Sequence, residues 1–255
     1  GVKVTIINRS QRIAGIQDPK VAENARSVFS EEMDIRFDTQ ILRAERQGND
    51  VQLSLQDQQG VESLLTVECV LNAAGRQPNI EKLNLAAAGI NVDDKGKLRF
   101  NKHTLQVENK PVFLAGDVNG LHPILHEAAD DGRIAADNAV NWPTAPQAPT
   151  RRSPMKVVFS NPQVMAVGVA FADLPADVRI GEVSFTNQGR SRVMLENKGM
   201  LRVYADRHSD VFLGAEMVGP SAEHLAHLLA WSAQQQLTIK EMLGMPFYHP
   251  VVEEG

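Results

Sequence analysis

Residues 112–120, VFLAGDVNG, predict the turn around which the rest of the fold is arranged. Four apolar residues at 112–115 favour a strand, and Gly116 lets the backbone turn beside a bulky group before Asp117 projects its carboxylate. A ligand with hydroxyl groups suits such a carboxylate. A helix predicted at about 124–141 follows, and the positive end of its dipole suits an electron-rich group. The same residues are also typical of an ordinary strand, loop and helix start, so this pattern alone leaves both interpretations open.

The composition is that of a globular protein. The chain has 255 residues, 43% of them hydrophobic, which is enough for a sizeable core and, by length, for two domains. A net charge of −5 with scattered Lys and Arg argues against nucleic acid as a partner. No apolar run approaches the roughly 20 residues that span a bilayer, and the first residues lack a signal-peptide pattern. We therefore expect a cytoplasmic protein with no membrane partner.

The order of predicted elements indicates an α/β region followed by an antiparallel α+β domain. Residues 1–9 have the pattern of a buried strand, without the strand, glycine loop and helix that normally precede it in a nucleotide-binding unit. Asp18-Pro19 is predicted to cap a helix that ends near Met33. A proline-rich stretch at 141–154 is predicted to be a linker. Further strands are predicted at 35–39, 41–47, 51–56, 64–73, 98–100, 181–186, 192–196, 200–205 and 211–217, and further helices at 80–88, 222–236 and 239–243.

His249 is the most suggestive single side chain. It lies in FYHPVVEEG, with Glu253 and Glu254 four and five residues later. An imidazole oriented by a carboxylate is a common general base near neutral pH. The peptide bond to Pro250 is a candidate for the cis form. Without further context, a histidine beside solvated acids is the better interpretation of the pattern.

Other titratable side chains favour structural roles. Cys69 lies between apolar residues of a predicted strand, which indicates an inert buried thiol. His224 and His227 share one helix face with no matching third ligand and no HExxH pattern, so we predict no metal site. A solvated helix face is the interpretation of the charges at Asp130, Asp131, Arg133 and Asp137.

Four motifs in this order carry a family resemblance: AAGRQPN at 73–79, VFLAGDVNG at 112–120, FSNPQVMAVG at 159–168 and HPVVEEG at 249–255. Together they resemble the FAD-dependent pyridine nucleotide-disulfide oxidoreductases, and most of all the dihydrolipoamide dehydrogenases within that family. The resemblance implies a partial Rossmann-like NAD(P)-binding region at 1–76, a central region returning to the FAD-binding domain at 77–146, and a dimerisation domain at 153–255.

The resemblance also implies roles for particular residues. Asp117, with Gly116 beside it, would hydrogen-bond the ribityl chain of FAD. The helix start that contains His126 and Ala128 would face the flavin pyrimidine edge. At the nicotinamide cofactor, the matching residues would be Gly75, Asn8 and Arg9. His249 and Glu254 would match the catalytic base and its orienting carboxylate, which reach across the two-fold axis of a homodimer into the other subunit's site.

The implied reaction is oxidation of a dithiol through a redox-active disulfide and FAD, with reduction of NAD. A single cysteine cannot form that disulfide, and no glycine-rich FAD loop is present in the 255 residues. We therefore expect this chain to be the C-terminal part of such an enzyme and to be inactive alone. Components of a 2-oxo acid dehydrogenase complex are the partners that the resemblance suggests.

Two departures from the family pattern leave the substrate and cofactor open. Asn8 stands where NAD-using members commonly have an acid, and Arg9 follows it, so both NAD and NADP stay open. Phe247 occupies the place of the first histidine in the HAHP pattern of dihydrolipoamide dehydrogenases. Glutathione reductase, mercuric reductase, soluble transhydrogenase and a non-catalytic dimerisation module are the alternatives.

Overall fold

The structure, a computed structural model, describes residues 1–94 and 96–255, which form ten strands and five α-helices. The strands are β1 (Thr5–Ile7), β2 (Asp34–Arg36), β3 (Gln40–Gln47), β4 (Asp50–Gln56), β5 (Glu62–Val67), β6 (Met155–Val158), β7 (Gln163–Gly168), β8 (Arg179–Ser184), β9 (Met200–Ala205) and β10 (Phe212–Gly219). The helices are α1 (Pro19–Ser30), α2 (Leu125–Val140), α3 (Gly189–Met194), α4 (Ala222–Gln234) and α5 (Ile239–Leu243). Two compact units result: Gly1–Val70 with Arg152–Gly255, and Leu71–Arg151.

The first unit begins with a βαβ arrangement. Strands β1 and β2 pair in parallel, and α1 connects them. Helix α1 starts where it does because the Asp18 carboxylate accepts hydrogen bonds from the amides of Lys20 and Val21, while Pro19 occupies the first turn. This α/β start, followed by antiparallel sheets and helices, confirms the fold class predicted from the sequence.

Two antiparallel sheets complete the first unit. Strands β3, β4 and β5 form a meander, and a five-stranded sheet has the order β6-β7-β10-β9-β8. Helix α4 packs on β7 and β10 and buries Leu225 and Ala226 against Met165 and Met217. The same helix leaves Leu228 and Trp231 exposed on its other side, as expected for a helix with one face in the core and another available to a partner.

A buried polar cluster joins α1 to the five-stranded sheet. Arg202 Nη1 lies 2.7 Å from both carboxylate oxygens of Asp18, and the Tyr204 hydroxyl donates to Asp18 Oδ2 at 2.9 Å. Glu216 is also buried and accepts from the amides of Gln17 and Asp18 at 2.9 and 2.8 Å. Because β9 carries Arg202 and Tyr204 and β10 carries Glu216, the cluster fixes the start of α1 on this sheet.

One predicted strand is a helix. Residues 192–196 were expected to be extended, but α3 occupies Gly189–Met194. The side chain of Gln188 explains the difference, because its Oε1 accepts from the amide and the hydroxyl of Ser191 at 2.7 and 2.8 Å and so starts the helix.

The predictions of buried strands at 1–9 and 64–73 are wrong in part. β5 ends at Val67, which pairs with Val51 near the start of β4. Residues after Val67 have no partner in β4, so the strand stops there. Cys69 therefore follows the strand and is exposed, and Leu71 is 90% exposed. The prediction that this thiol is buried is wrong. Val2 is also exposed, at 91%.

The second unit has fewer regular strands than predicted. Single antiparallel bridges at Val92–Leu98, Phe100–Val107 and Gln106–Phe113 replace the strands expected at 98–100 and 112–115. The helix expected at 80–88 is two short 3₁₀ turns, Glu81–Leu83 and Leu85–Ala88, because Asn84 between them adopts a left-handed conformation with φ 48°.

Candidate functional site

The predicted turn at Gly116 packs directly against α2. Gly116–Asn119 forms a 3₁₀ turn, and Gly116 has φ +76°. A Cβ atom at this position would lie 3.2 Å from the Cβ atom of Ala128 in α2. Both the left-handed backbone and the close approach favour glycine here. The structure therefore brings together Gly116, Asp117 and Ala128 of the candidate site.

Asp117 presents a partly exposed carboxylate beside this contact. Its side chain is 44% exposed, and Asp117 Oδ2 lies 3.4 Å from Arg76 Nη1. An exposed pair at this distance contributes little, about 0–1 kcal/mol. The carboxylate is therefore accessible to a hydroxyl-bearing ligand.

The N-terminal end of α2 offers a positive dipole. Its N-cap is Ile124, whose apolar side chain cannot accept hydrogen bonds from the first-turn amides. His126 in this turn is partly exposed, with its Nε2 4.0 Å from Glu127 Oε1. Such a helix end stabilises an electron-rich group that lies close to its first-turn amides.

The prediction of a solvated helix face is wrong for Asp131. This residue is only 2% exposed, and its Oδ2 accepts from the Gly116 amide at 3.2 Å and from Asn119 Nδ2 at 2.6 Å. Its Oδ1 accepts from Arg151 Nη2 at 2.6 Å, and Glu127, also buried, accepts from the same nitrogen at 3.0 Å. Burial acts to lower the pKa of Arg151, but the two carboxylates outweigh it, so the pKa is raised above its usual value.

Sequence reasoning missed this cluster although a signal was available. The buried positions of α2 are Glu127, Asp131, Ile134, Ala135 and Asn138. Their spacing of four, three, one and three residues is the helical period of a core-facing stripe, which places the two acids on the inner face. By contrast, Arg133 and Asp137 are not buried, as expected for the solvated face.

His249 and Glu254 lie together at the C-terminal end of the first unit. His249 Nδ1 is 2.8 Å from Glu254 Oε2, and the His249 side chain is 83% exposed. The segment between them is held by Val252, which is buried in the core, and by Gln188 Nε2, which donates to the Val251 carbonyl at 2.8 Å. The His249–Pro250 bond is cis. The imidazole is therefore oriented by an acid and open to solvent.

The candidate nicotinamide-binding residues lie at two places. Gly75 is exposed with φ +105° in the second unit. In the first unit, Asn8 Nδ2 donates to the Arg12 carbonyl at 2.6 Å, and the Asn8 carbonyl accepts from the Thr39 amide at 3.0 Å. Arg9 is exposed and lines a polar cavity of about 370 Å³, formed with residues that include Asp38, Thr39, Gln40, Gln56, Asp57, Gln58 and Gly60.

Metal-binding clusters and membrane spans are both absent from residues 1–94 and 96–255. Among these residues, no group of three or more His, Cys, Asp and Glu side chains is arranged to hold a metal ion. His227 Nδ1 instead contacts the Glu223 carbonyl at 2.7 Å, and His224 Nε2 lies 3.5 Å from the Glu223 carboxylate. None of the helices in this part of the chain has the length and apolarity required to cross a bilayer.

Two family profiles match the chain and identify the class of redox protein to which it belongs. The profile described as "pyridine nucleotide-disulphide oxidoreductase" matches residues 1–141, and the one for the dimerisation domain of the same family matches residues 155–255. The chain therefore belongs to the pyridine nucleotide-disulphide oxidoreductase family, and the resemblance seen in the sequence is confirmed.

Curated relatives of the chain include dihydrolipoyl dehydrogenases. The one from Halobacterium salinarum is 29% identical, in an alignment that covers 100% of this chain and 54% of that protein. A mercuric reductase from Staphylococcus aureus is 27% identical, covering 95% of this chain and 44% of the relative. The chain spans about half the length of the dihydrolipoyl dehydrogenases it matches.

Solved structures share the fold. The HOCl-induced flavoprotein disulfide reductase RclA from Escherichia coli aligns with a TM-score of 0.82 and 24% identity, over 100% of this chain and 58% of that one. LpdA from Mycobacterium tuberculosis aligns with a TM-score of 0.83 and 23% identity, over 100% and 55% of the two chains.

Proposed function

We propose that this chain forms part of a FAD-dependent dihydrolipoamide dehydrogenase. The overall reaction converts a dithiol and NAD⁺ to a disulfide, NADH and a proton. Residues 1–76 would belong to the NAD(P)-binding domain, 77–146 to the region that returns to the FAD-binding domain, and 153–255 to the dimerisation domain. The family membership and the relatives named dihydrolipoyl dehydrogenase support this proposal. The observation that carries it is the 2.8 Å contact between His249 Nδ1 and Glu254 Oε2.

His249 would act as the general base. A carboxylate only accepts hydrogen bonds, so the proton between the two side chains belongs to Nδ1, and the lone pair of Nε2 is left to receive a proton from the dithiol. Glu254 then stabilises the imidazolium that forms. The exposure of His249 gives an incoming substrate access to Nε2.

The turn at Gly116 fits the flavin that this function requires. Gly116 permits close backbone approach, the Asp117 carboxylate is accessible to ribityl hydroxyls, and the start of α2 with His126 suits the electron-rich end of the isoalloxazine. When bound, FAD supplies two-electron transfer between thiols and nicotinamide. Asn8 and Arg9 of the first unit are proposed contacts of the nicotinamide cofactor, and Gly75 of the second unit is proposed as another.

The proposed dihydrolipoamide dehydrogenase reaction uses NAD, whereas Arg9 favours NADP. An exposed guanidinium beside Asn8, at the rim of a polar cavity, suits the additional phosphate of NADP. Kinetics with each nicotinamide decide between them, and an Arg9→Gln variant should weaken binding of NADP much more than of NAD.

A homodimer is the proposed assembly. The dimerisation-domain match covers 155–255, and in that range the exposed apolar side chains of α4 and the C-terminal segment offer a surface for a second copy. The exposed apolar side chains of this surface are Leu228, Trp231, Leu243, Met245 and Phe247. In such a dimer, His249 of each subunit would serve the other subunit's site. Components of a 2-oxo acid dehydrogenase complex would be further partners.

The test is an assay of the full-length protein with dihydrolipoamide and NAD, measuring NADH formation. His249→Gln should lower the rate by about 10²–10⁴-fold, as expected for loss of a general base. Glu254→Gln should lower it by about 10–100-fold, because a hydrogen bond to a charged group contributes about 1.5–3 kcal/mol.

Glu253→Gln is the matched control, since it removes the same charge one residue away. If His249→Gln leaves the rate unchanged while wild type is active, the proposed base is wrong. If wild type binds no flavin, the proposed function fails, and a non-catalytic dimerisation module becomes the better interpretation.

The 255-residue chain alone should show no turnover, since its one cysteine cannot form an internal disulfide.

A related reductase of the same family is the second candidate, favoured by Phe247. This apolar side chain is 50% exposed two residues before His249, where dihydrolipoamide dehydrogenases commonly have histidine. The similarity to a mercuric reductase supports the same alternative. Turnover with glutathione disulfide or mercuric ion and a reduced nicotinamide, without activity on dihydrolipoamide, would favour this candidate.

A further inference from the structure

Asp131 connects the candidate flavin turn to the interior of the second unit. Its carboxylate is buried, so it is not itself presented to a ligand. Instead Oδ2 receives the Gly116 amide at 3.2 Å and Asn119 Nδ2 at 2.6 Å. These two donors are the first and last residues of the turn that carries Asp117.

Arg151 offsets the free-energy cost of burying the Asp131 carboxylate. Its Nη2 lies 2.6 Å from Asp131 Oδ1 and 3.0 Å from Glu127 Oε2, so one guanidinium bridges two acids one helical turn apart. An unpaired buried carboxylate is strongly unfavourable, whereas a paired one with hydrogen-bonded oxygens is stable. Both oxygens of Asp131 therefore have partners, and the side chain cannot move without breaking several contacts.

We infer that Asp131, held by Arg151, is a positioning residue for flavin binding, because it clamps both ends of the Gly116–Asn119 turn and so fixes the direction of the Asp117 carboxylate. This inference rests on the proposed function, since it concerns the residue assigned to the ribityl chain. Gly116 also lies against Ala128 of α2, so the clamp holds the turn and the helix start in one arrangement. A preorganised carboxylate binds its ligand more tightly than a mobile one, because less conformational entropy is lost on binding.

The experiment measures FAD affinity of the full-length apoprotein by flavin fluorescence titration. Asp131→Ala should weaken FAD binding by about 10–100-fold, and Asp131→Asn, which keeps an acceptor for the Gly116 amide, should weaken it less. Asp137→Asn is the matched control, because it removes one charge from an exposed position of the same helix and should leave FAD affinity unchanged.

A double-mutant cycle separates positioning from a general structural effect. If Asp131 acts through Asp117, the loss caused by Asp131→Ala should shrink to less than about twofold when Asp117 is already alanine. An undiminished loss in the Asp117→Ala background would overturn the inference, and so would wild-type affinity in Asp131→Ala. Should Asp131→Ala fail to fold, Asn119→Ala, which removes one of the two turn contacts, replaces it in the same cycle with the same expected result.

The two proposals fail in different ways. Wild-type protein that binds no FAD contradicts the proposed function, and the inference falls with it. Wild-type protein that binds FAD, together with an Asp131→Ala variant that binds it equally well, leaves the proposed function standing and removes only the positioning role.

Discussion

Replacing Asp18 by alanine should destabilise the first unit more than any surface substitution. The change removes the N-cap contacts to the amides of Lys20 and Val21, which contribute about 1 kcal/mol. It also leaves Arg202 without its buried partner and the Tyr204 hydroxyl without its acceptor. Breaking a buried ion pair by removing one member costs about 3–5 kcal/mol, and since these contacts share one carboxylate, we expect that range for the total loss.

The assay is urea denaturation of the wild-type and variant proteins, followed by circular dichroism, with the midpoint and slope compared. Asp18→Asn should recover about 1 kcal/mol relative to alanine, because asparagine is also a good N-cap. Lys20→Ala is the control: it breaks the contact of Lys20 Nζ to Glu182 at 2.7 Å, which contributes little because solvent screens an exposed ion pair. If Asp18→Ala were as stable as Lys20→Ala, the argument from burial would be refuted.

Three further predictions use the same unit. Burial, followed by the nearby carboxylates, raises the pKa of Tyr204, so the unfolded chain loses the phenolic proton near pH 10 while the folded protein keeps it. The free energy of unfolding should therefore fall above pH 10 by up to about 1.4 kcal/mol per pH unit. Equal slopes of stability against alkaline pH in wild type and Tyr204→Phe would contradict this. Gly168→Ala should lower the free energy of unfolding by about 2–5 kcal/mol, because the new Cβ would lie 2.2 Å from the Leu213 carbonyl oxygen at φ +74°. Gly48→Ala, with φ +62° and nothing within 4 Å, should cost only about 1–2 kcal/mol in the same melts. Trp231→Glu, at a position 64% exposed, should raise the dissociation constant of the proposed homodimer by at least about 30-fold in sedimentation equilibrium. An unchanged dissociation constant would show that Trp231 is not in the dimer contact.

Local sequence signals predicted the elements that depend on local chemistry. Asp18-Pro19 marked the start of α1 correctly, and the residues of β9 and α5 matched the predicted 200–205 and 239–243. In each case the cap or the alternation of apolar residues determines the element by itself.

Elements that depend on distant partners were predicted poorly. The end of β5 is set by where β4 begins, and no pattern within residues 64–73 contains that information. Helix α3 depends on one glutamine side chain, which outweighs the extended pattern of residues 192–196. Asp131 was assigned to solvent because charged residues usually are exposed, although its position in the helical period of α2 placed it inside. The motif left Glu253 and Glu254 open as partners of His249, and the family resemblance pointed to Glu254, which the structure has 2.8 Å from the imidazole. The catalytic role of the pair stays a prediction.

The contact between Asp18 and Glu216 joins an amide and a carboxylate that are 198 residues apart along the chain. During synthesis, α1 leaves the ribosome long before β9 and β10 exist, so the Asp18 carboxylate has no Arg202 and the Asp18 amide has no Glu216 until those strands emerge. A helix that is made well before its sheet is therefore among the last elements to reach its finished environment. Until then, its apolar face is exposed to chaperones and to other nascent chains.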